Sequence, residues 1–163
     1  MLATWKVGPA LAAGNTVVLK PAEWTPLTAS LLGDLALEAG IPAGVINIVQ
    51  GLGEDAGAAL VAHPDVRRIS FTGSPDTARI VGAAAARHLT PVSFELGGKS
   101  PLIVFADADM NLALQTAAAQ YDHAGQVCLA GTRLLVDASV YSTFLSRLAQ
   151  AIGQNSTGRS ARS

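Results

Sequence analysis

Short β-branched apolar runs alternate with helix-like segments along nearly the whole chain, and few folds satisfy that pattern. Thr16-Val17-Val18-Leu19 is such a run, ended by Lys20-Pro21. Val45-Ile46-Asn47-Ile48-Val49, Arg67 to Phe71, Pro91 to Phe94, Leu102 to Phe105 and Arg133 to Val136 are others. Between them lie segments with helical spacing at about residues 2–13, 25–39, 54–62, 75–88, 109–121 and 139–152. Strands that are apolar throughout are buried on both faces, and strands alternating with helices form parallel sheets. The fold class expected is therefore α/β: a Rossmann-like open parallel sheet with helices on both faces.

Local signals fix several boundaries. Thr25-Pro26 reads as a helix start, with threonine as cap and proline in the first turn. Ser74 before Pro75, and Asp107-Ala108-Asp109 before the next helix, read the same way. Gly14 and Gly40 follow helix ends. The last ten residues, Gln154 to Ser163, carry almost nothing apolar and read as a disordered tail. The chain of 163 residues suffices for a sizeable core. No internal repeat stands out.

Composition removes several functions. Net charge is −1, which gives no electrostatic reason to bind nucleic acid or an anionic membrane. No apolar run reaches the ~18 residues of a membrane span, and the first residues lack a signal-peptide pattern. A single cysteine excludes an internal disulfide framework and a cysteine metal cluster, and fits a reducing cytosol. His63, His88 and His123 are not spaced as metal ligands. Trp5 and Trp24 are expected as packing residues.

Parallel sheets bind cofactors at the carboxyl ends of their strands. Lys20 and Glu23 follow the first strand; a cation and an acceptor there can grip a ribose, or form an ordinary solvated pair. No Gly-x-Gly-x-x-Gly follows that strand. Gly51 and Gly53 follow the second. Gly73-Ser74 closes the third and opens a helix, where backbone N–H groups favour a phosphate; an ordinary helix cap has the same sequence. Glu95 precedes Leu96-Gly97-Gly98, whose glycines allow close approach of a ligand. A carboxylate there can act as a general base, or lie exposed on a turn. Cys128 sits in Gly125-Gln126-Val127-Cys128-Leu129-Ala130-Gly131. Free cysteine is commonly a buried apolar residue, but flanking glycines indicate a loop, the setting of a nucleophile.

The order of these segments is more specific than any one of them. Trp5 through Glu23, Phe71-Thr72-Gly73-Ser74, Phe94-Glu95-Leu96-Gly97-Gly98-Lys99-Ser100-Pro101 and Gly125-Gln126-Val127-Cys128 together resemble the NAD(P)-dependent aldehyde dehydrogenase superfamily, over about residues 1–152. The resemblance implies an oxidoreductase converting an aldehyde to a carboxylic acid. Cys128 would be the nucleophile, passing through a thiohemiacetal and a thioester. Glu95 would be the general base, and Lys6 would belong to the region relaying its protons. Lys20 and Glu23 would hold the adenosine ribose, Gly73 and Ser74 the pyrophosphate. Gly53 would lie near the adenine and Leu96 near the nicotinamide.

The cofactor implied is NAD, with NADP the second choice because Glu23 repels a 2′-phosphate. Residues 1–96 would be most of the dinucleotide-binding domain, 97–152 the start of the catalytic domain, and 153–163 the tail. The parent enzyme would be a cytoplasmic homo-oligomer, dimer or tetramer, acting on a small-molecule aldehyde.

There are departures from the family. No Pro-Trp-Asn segment, whose asparagine completes the family's oxyanion hole, is present. Ala78 stands where many members carry glycine, and the loop before Gly125 is a residue shorter than in many. The alternative expectation is thus a non-catalytic truncated fragment or pseudogene product of such an enzyme, poorly soluble through an exposed sheet face. A cysteine hydrolase is a third reading, weakened by the lack of a histidine–acid set.

Overall fold

The computed structural model describes residues 2–154. The chain divides into two compact units, Met1–Glu95 and Leu96–Ser163. In chain order the elements are α1 (Leu2–Ala12), β1 (Val17–Leu19), α2 (Leu27–Glu38), β2 (Ile46–Ile48), α3 (Ala58–Val61), β3 (Ile69–Gly73), α4 (Pro75–Ala86), β4 (Val92–Leu96), β5 (Pro101–Val104), α5 (Met110–Ala119), β6 (Arg133–Val136) and α6 (Tyr141–Gln154). A π turn, Gly53–Gly57, precedes α3, and a 3₁₀ turn, Asp122–Gly125, follows α5. The α/β alternation is as expected. Most of the proposed tail, residues 155–163, lies outside the described residues; Gly153 and Gln154 belong to α6.

Strands pair two by two: β1 with β2, β3 with β4, and β5 with β6. The first and last pairs are parallel, in the registers Val17↔Ile46 and Pro101↔Arg133. In the first unit, α2 lies against β2, where Gly33 leaves room for Ile48. Ile69, Val81 and Ala85 form a core between β3 and α4, with Phe71 and Val92 packed on it. The rings of Phe71 and Phe94 meet edge to face at 6.3 Å.

In the second unit, alternation along β5 and β6 turns Leu102, Val104, Leu134 and Val136 to one face. There they meet Leu114 and Ala117 of α5 and Phe144 and Leu148 of α6. Ile103 and Leu135, paired in register on the other face, are each about half exposed.

Several boundaries differ from expectation. Helix α2 starts at Leu27 with Pro26 at the cap and no side-chain capping bond, so Thr25 does not cap it. Pro26 takes helical dihedrals, and its carbonyl accepts from Ser30 N–H and Oγ–H instead. The helix expected over 54–62 opens as a π turn, with Gly57 N–H reaching back five residues to Leu52 O. A Cβ on Gly51 would stand 2.7 Å from that of Ala56, so the chain doubles back tightly there. Strands β3 and β4 both run two residues further than predicted, to Gly73 and Leu96. Glu95 therefore lies within a strand, one residue before its end, rather than on a turn. Trp24 is 89% exposed in the turn after Pro21 rather than packed, and Trp5 is 54% exposed.

Candidate active site

In the first unit, β1 delivers Lys20 to its carboxyl end. The Lys20 ammonium donates to Pro21 O at 2.8 Å and to Gly51 O at 3.0 Å, tying the end of β1 to the segment after β2. Its stem runs across Gly57, whose Cβ would stand 3.5 Å from Lys20 Cδ. Glu23 Oε2 lies 3.7 Å from the same ammonium and is about half exposed, so its carboxylate keeps acceptor capacity toward a ligand. At Gly53 nothing lies within 4 Å of where a Cβ would stand, so the backbone is open to approach.

At the end of β3, a Cβ on Gly73 would meet Phe71 Cζ at 2.5 Å, so a side chain there would have to displace the tip of that ring. Ser74 then caps α4, its Oγ accepting from Thr77 N–H at 3.2 Å, with Pro75 at the first helical position. The helix start predicted from these residues is thus present, and its free N–H groups form an anion-favouring end.

Lys6, on the second turn of α1, donates to Glu95 Oε1 at 2.9 Å across 89 residues of sequence. Both side chains stay partly in solvent, 39% and 54% exposed. A carboxylate held by one ammonium and otherwise open to water can receive a proton.

In the second unit, Cys128 occupies a turn closed by Ala130 N–H donating to Val127 O at 3.0 Å. The thiol is exposed, not packed as a core residue. Gly98 lies beside it: a Cβ there would be 3.9 Å from Cys128 O. Arg133 holds that glycine segment, its Nε donating to Lys99 O at 2.8 Å and its N–H to Ser100 O. Leu96 is the last residue of β4. The residues before Cys128 turn left-handed in succession, His123, Ala124 and Gly125 at φ 53°, 59° and 72°. Gln120 and Gly131 bracket this loop and bond to each other; Gly131 was read only as a flanking glycine, and Gln120 was not singled out in the sequence. The available signal was a polar residue ending α5 and a glycine bounding the cysteine segment.

Among the described residues, no three His, Cys, Asp or Glu side chains gather to hold a metal ion. No described helix is long and apolar enough to cross a membrane.

Sequence and structure comparisons lead to the same class. The aldehyde dehydrogenase family model matches residues 1–163, further than the 1–152 expected from the motifs. Phenylacetaldehyde dehydrogenase of Pseudomonas fluorescens is 57% identical over 157 residues, covering 95% of this chain and 31% of that protein. A crystal structure of indole-3-acetaldehyde dehydrogenase with NAD+ superposes with a TM-score of 0.91 at 48% identity, covering 94% of this chain and 32% of that one. An Escherichia coli NADP-dependent enzyme gives 0.88 at 47%, covering 93% and 32%. The class these define is an oxidoreductase on an α/β scaffold. The chain belongs to the aldehyde dehydrogenase family, and spans about a third of the length of these relatives.

Proposed function

We propose that this chain carries the cofactor grip and the nucleophile of an enzyme oxidising an aldehyde to a carboxylic acid with NAD. The observation that supports this most is Cys128, the one cysteine, exposed on a turn in a chain of this family. Its thiolate adds to the aldehyde carbon and forms a thiohemiacetal. A bound nicotinamide would supply the hydride acceptor needed to take that adduct to a thioester. Glu95, steadied by Lys6, takes a proton from water, which hydrolyses the thioester and releases the acid.

The ends of β1 and β3 suit a dinucleotide. Glu23 accepts from ribose hydroxyls, Lys20 fixes the loop beneath them, and Gly73 with Ser74 meets the pyrophosphate at the start of α4. Gly53 lines the adenine end and Leu96 the nicotinamide end. Lys20 already serves two carbonyls and lies beside Glu23, so a 2′-phosphate finds a carboxylate rather than a free cation. This favours NAD over NADP. Residues 1–96 act as the cofactor-binding part and 97–152 as the start of the catalytic part. The partner is a small-molecule aldehyde, with neither nucleic acid nor membrane, in a cytoplasmic homo-oligomer of two or four subunits.

A second reading, a non-catalytic piece of such an enzyme, draws on the chain's span of about a third of its relatives. Rapid mixing with NAD and an aldehyde separates the two. A burst of NADH that Cys128→Ala abolishes supports the enzyme; no NADH from the unaltered chain supports the piece.

A further inference from the structure

Gln120 sits where α5 becomes the cysteine loop. Its N–H bonds Ala117 O at 3.3 Å, the tightened pattern of a closing helix. The carbonyl of Thr116, four residues back, is taken by the Gln120 side chain, Nε2 donating at 2.7 Å. The other end of the same amide, Oε1, accepts from Gly131 N–H at 2.6 Å, eleven residues on. Its own carbonyl faces Gly125, where a Cβ would lie 3.6 Å away. One half-buried side chain thus closes the loop that contains Cys128.

The far end of the clasp is shaped to receive it. A Cβ on Gly131 would stand 2.8 Å from Leu102 Cβ and 3.4 Å from Gln120 Oε1, so only glycine lets β5 and the amide approach so closely. Between the two ends, His123 and Ala124 adopt left-handed dihedrals that non-glycine residues disfavour. Such a conformation persists only where surrounding contacts enforce it. Within the loop, Gln126 bonds His123 O and Ala130 N–H bonds Val127 O, both short-range contacts. The Gln120–Gly131 bond joins its two ends.

We propose that Gln120 is the positioning residue of the nucleophile loop, holding Cys128 through Gly131 rather than touching substrate. This rests on the reading of Cys128 as nucleophile. The test needs neither aldehyde nor cofactor, so it stands or falls apart from the oxidation. Because Cys128 is the one cysteine, iodoacetamide reports on it alone. Its alkylation rate is compared in the native chain and in the same chain unfolded in urea at equal pH. Amide exchange is followed at Gly131.

In Gln120→Met, Gly131 exchange quickens about fivefold, the factor carried by one neutral hydrogen bond. The native alkylation rate moves about threefold or more toward the unfolded-chain rate. Gln120→Glu keeps an acceptor for Gly131 but sets a carboxylate oxygen against Thr116 O, so both readouts fall between those of the unaltered chain and Gln120→Met. Gln120→Asn, polar but one methylene short, repeats the loss if Gln120→Met does not fold. A merely structural role changes melting and leaves native alkylation where it was. Unchanged Gly131 exchange, unchanged native alkylation in both Gln120→Met and Gln120→Asn, or equal native and unfolded rates in the unaltered chain overturns the proposal. Absence of NADH alongside the expected Gln120 results rejects the oxidation alone.

Discussion

Replacing Lys6 with methionine keeps most of the length of the side chain and removes its charge. At 2.9 Å the Coulomb attraction to Glu95 is about 1.4 kcal/mol in bulk water. Both side chains are more than a third exposed, so immobilising them and screening by salt offset most of it. The net coupling works out at about 0.2–1 kcal/mol. Lys6→Met therefore lowers the melting temperature by no more than about 4 °C in a chain of this size. The assay is a double-mutant cycle, Lys6→Met and Glu95→Gln singly and together, by urea unfolding at low salt and at about 1 M, where the Debye length is ~3 Å. The coupling should be small and shrink with salt. A coupling above about 2 kcal/mol, or one indifferent to salt, would show a shielded pair and refute the reasoning. Its small size bears on the proposed role of Glu95: an ion pair of this strength would orient a carboxylate without locking it.

Three further outcomes follow from the packing and the caps. Phe144, 1% exposed at the centre of the second unit, should cost about 3–5 kcal/mol as Phe144→Ala in urea unfolding. Ser74→Ala should cost about 0.5–2 kcal/mol and Ser74→Gly only a few tenths, a difference thermal melts can resolve. Asp137 accepts from the Ser139 hydroxyl at 2.6 Å and from Ser139 N–H at 2.9 Å, which lowers its pKa below the ordinary 3.8. A depressed carboxylate stabilises above its unfolded value and loses that contribution as pH falls through its folded value. The melting difference between the unaltered chain and Asp137→Ala should be full at about pH 6 and shrink by about pH 2.5. A difference that grows on acidification would reverse the sign.

What the sequence disclosed was what local chemistry decides. Strand β6 has the expected bounds, and Asp109 caps α5 through Asn111 and Leu112 N–H, because each depends on a few adjacent residues. Ser74 was readable for the same reason. The start of α2 was misread because Pro26, in helical dihedrals, itself takes the cap position, with its carbonyl accepting from Ser30 and no side chain capping the helix. The later ends of β3 and β4 belong to strands that pair with each other across distant sequence, which no local pattern records.

The candidate site divides the same way. Lys20 and Glu23 are three residues apart and stood out as a pair. Lys6 and Glu95 are 89 apart, and only the resemblance linked them before the fold brought them to 2.9 Å. Gln120 escaped notice because its role needs a loop to return eleven residues later.

The most direct test of the account is the fate of Cys128 during one turnover. The chain is mixed with NAD and an aldehyde, quenched in acid, and the Cys128 peptide weighed. The account predicts an acyl group on Cys128 in amounts matching NADH, with Glu95→Gln prolonging its lifetime. NADH formed equally by Cys128→Ala, an acyl group on another residue, or neither product from the unaltered chain would contradict it.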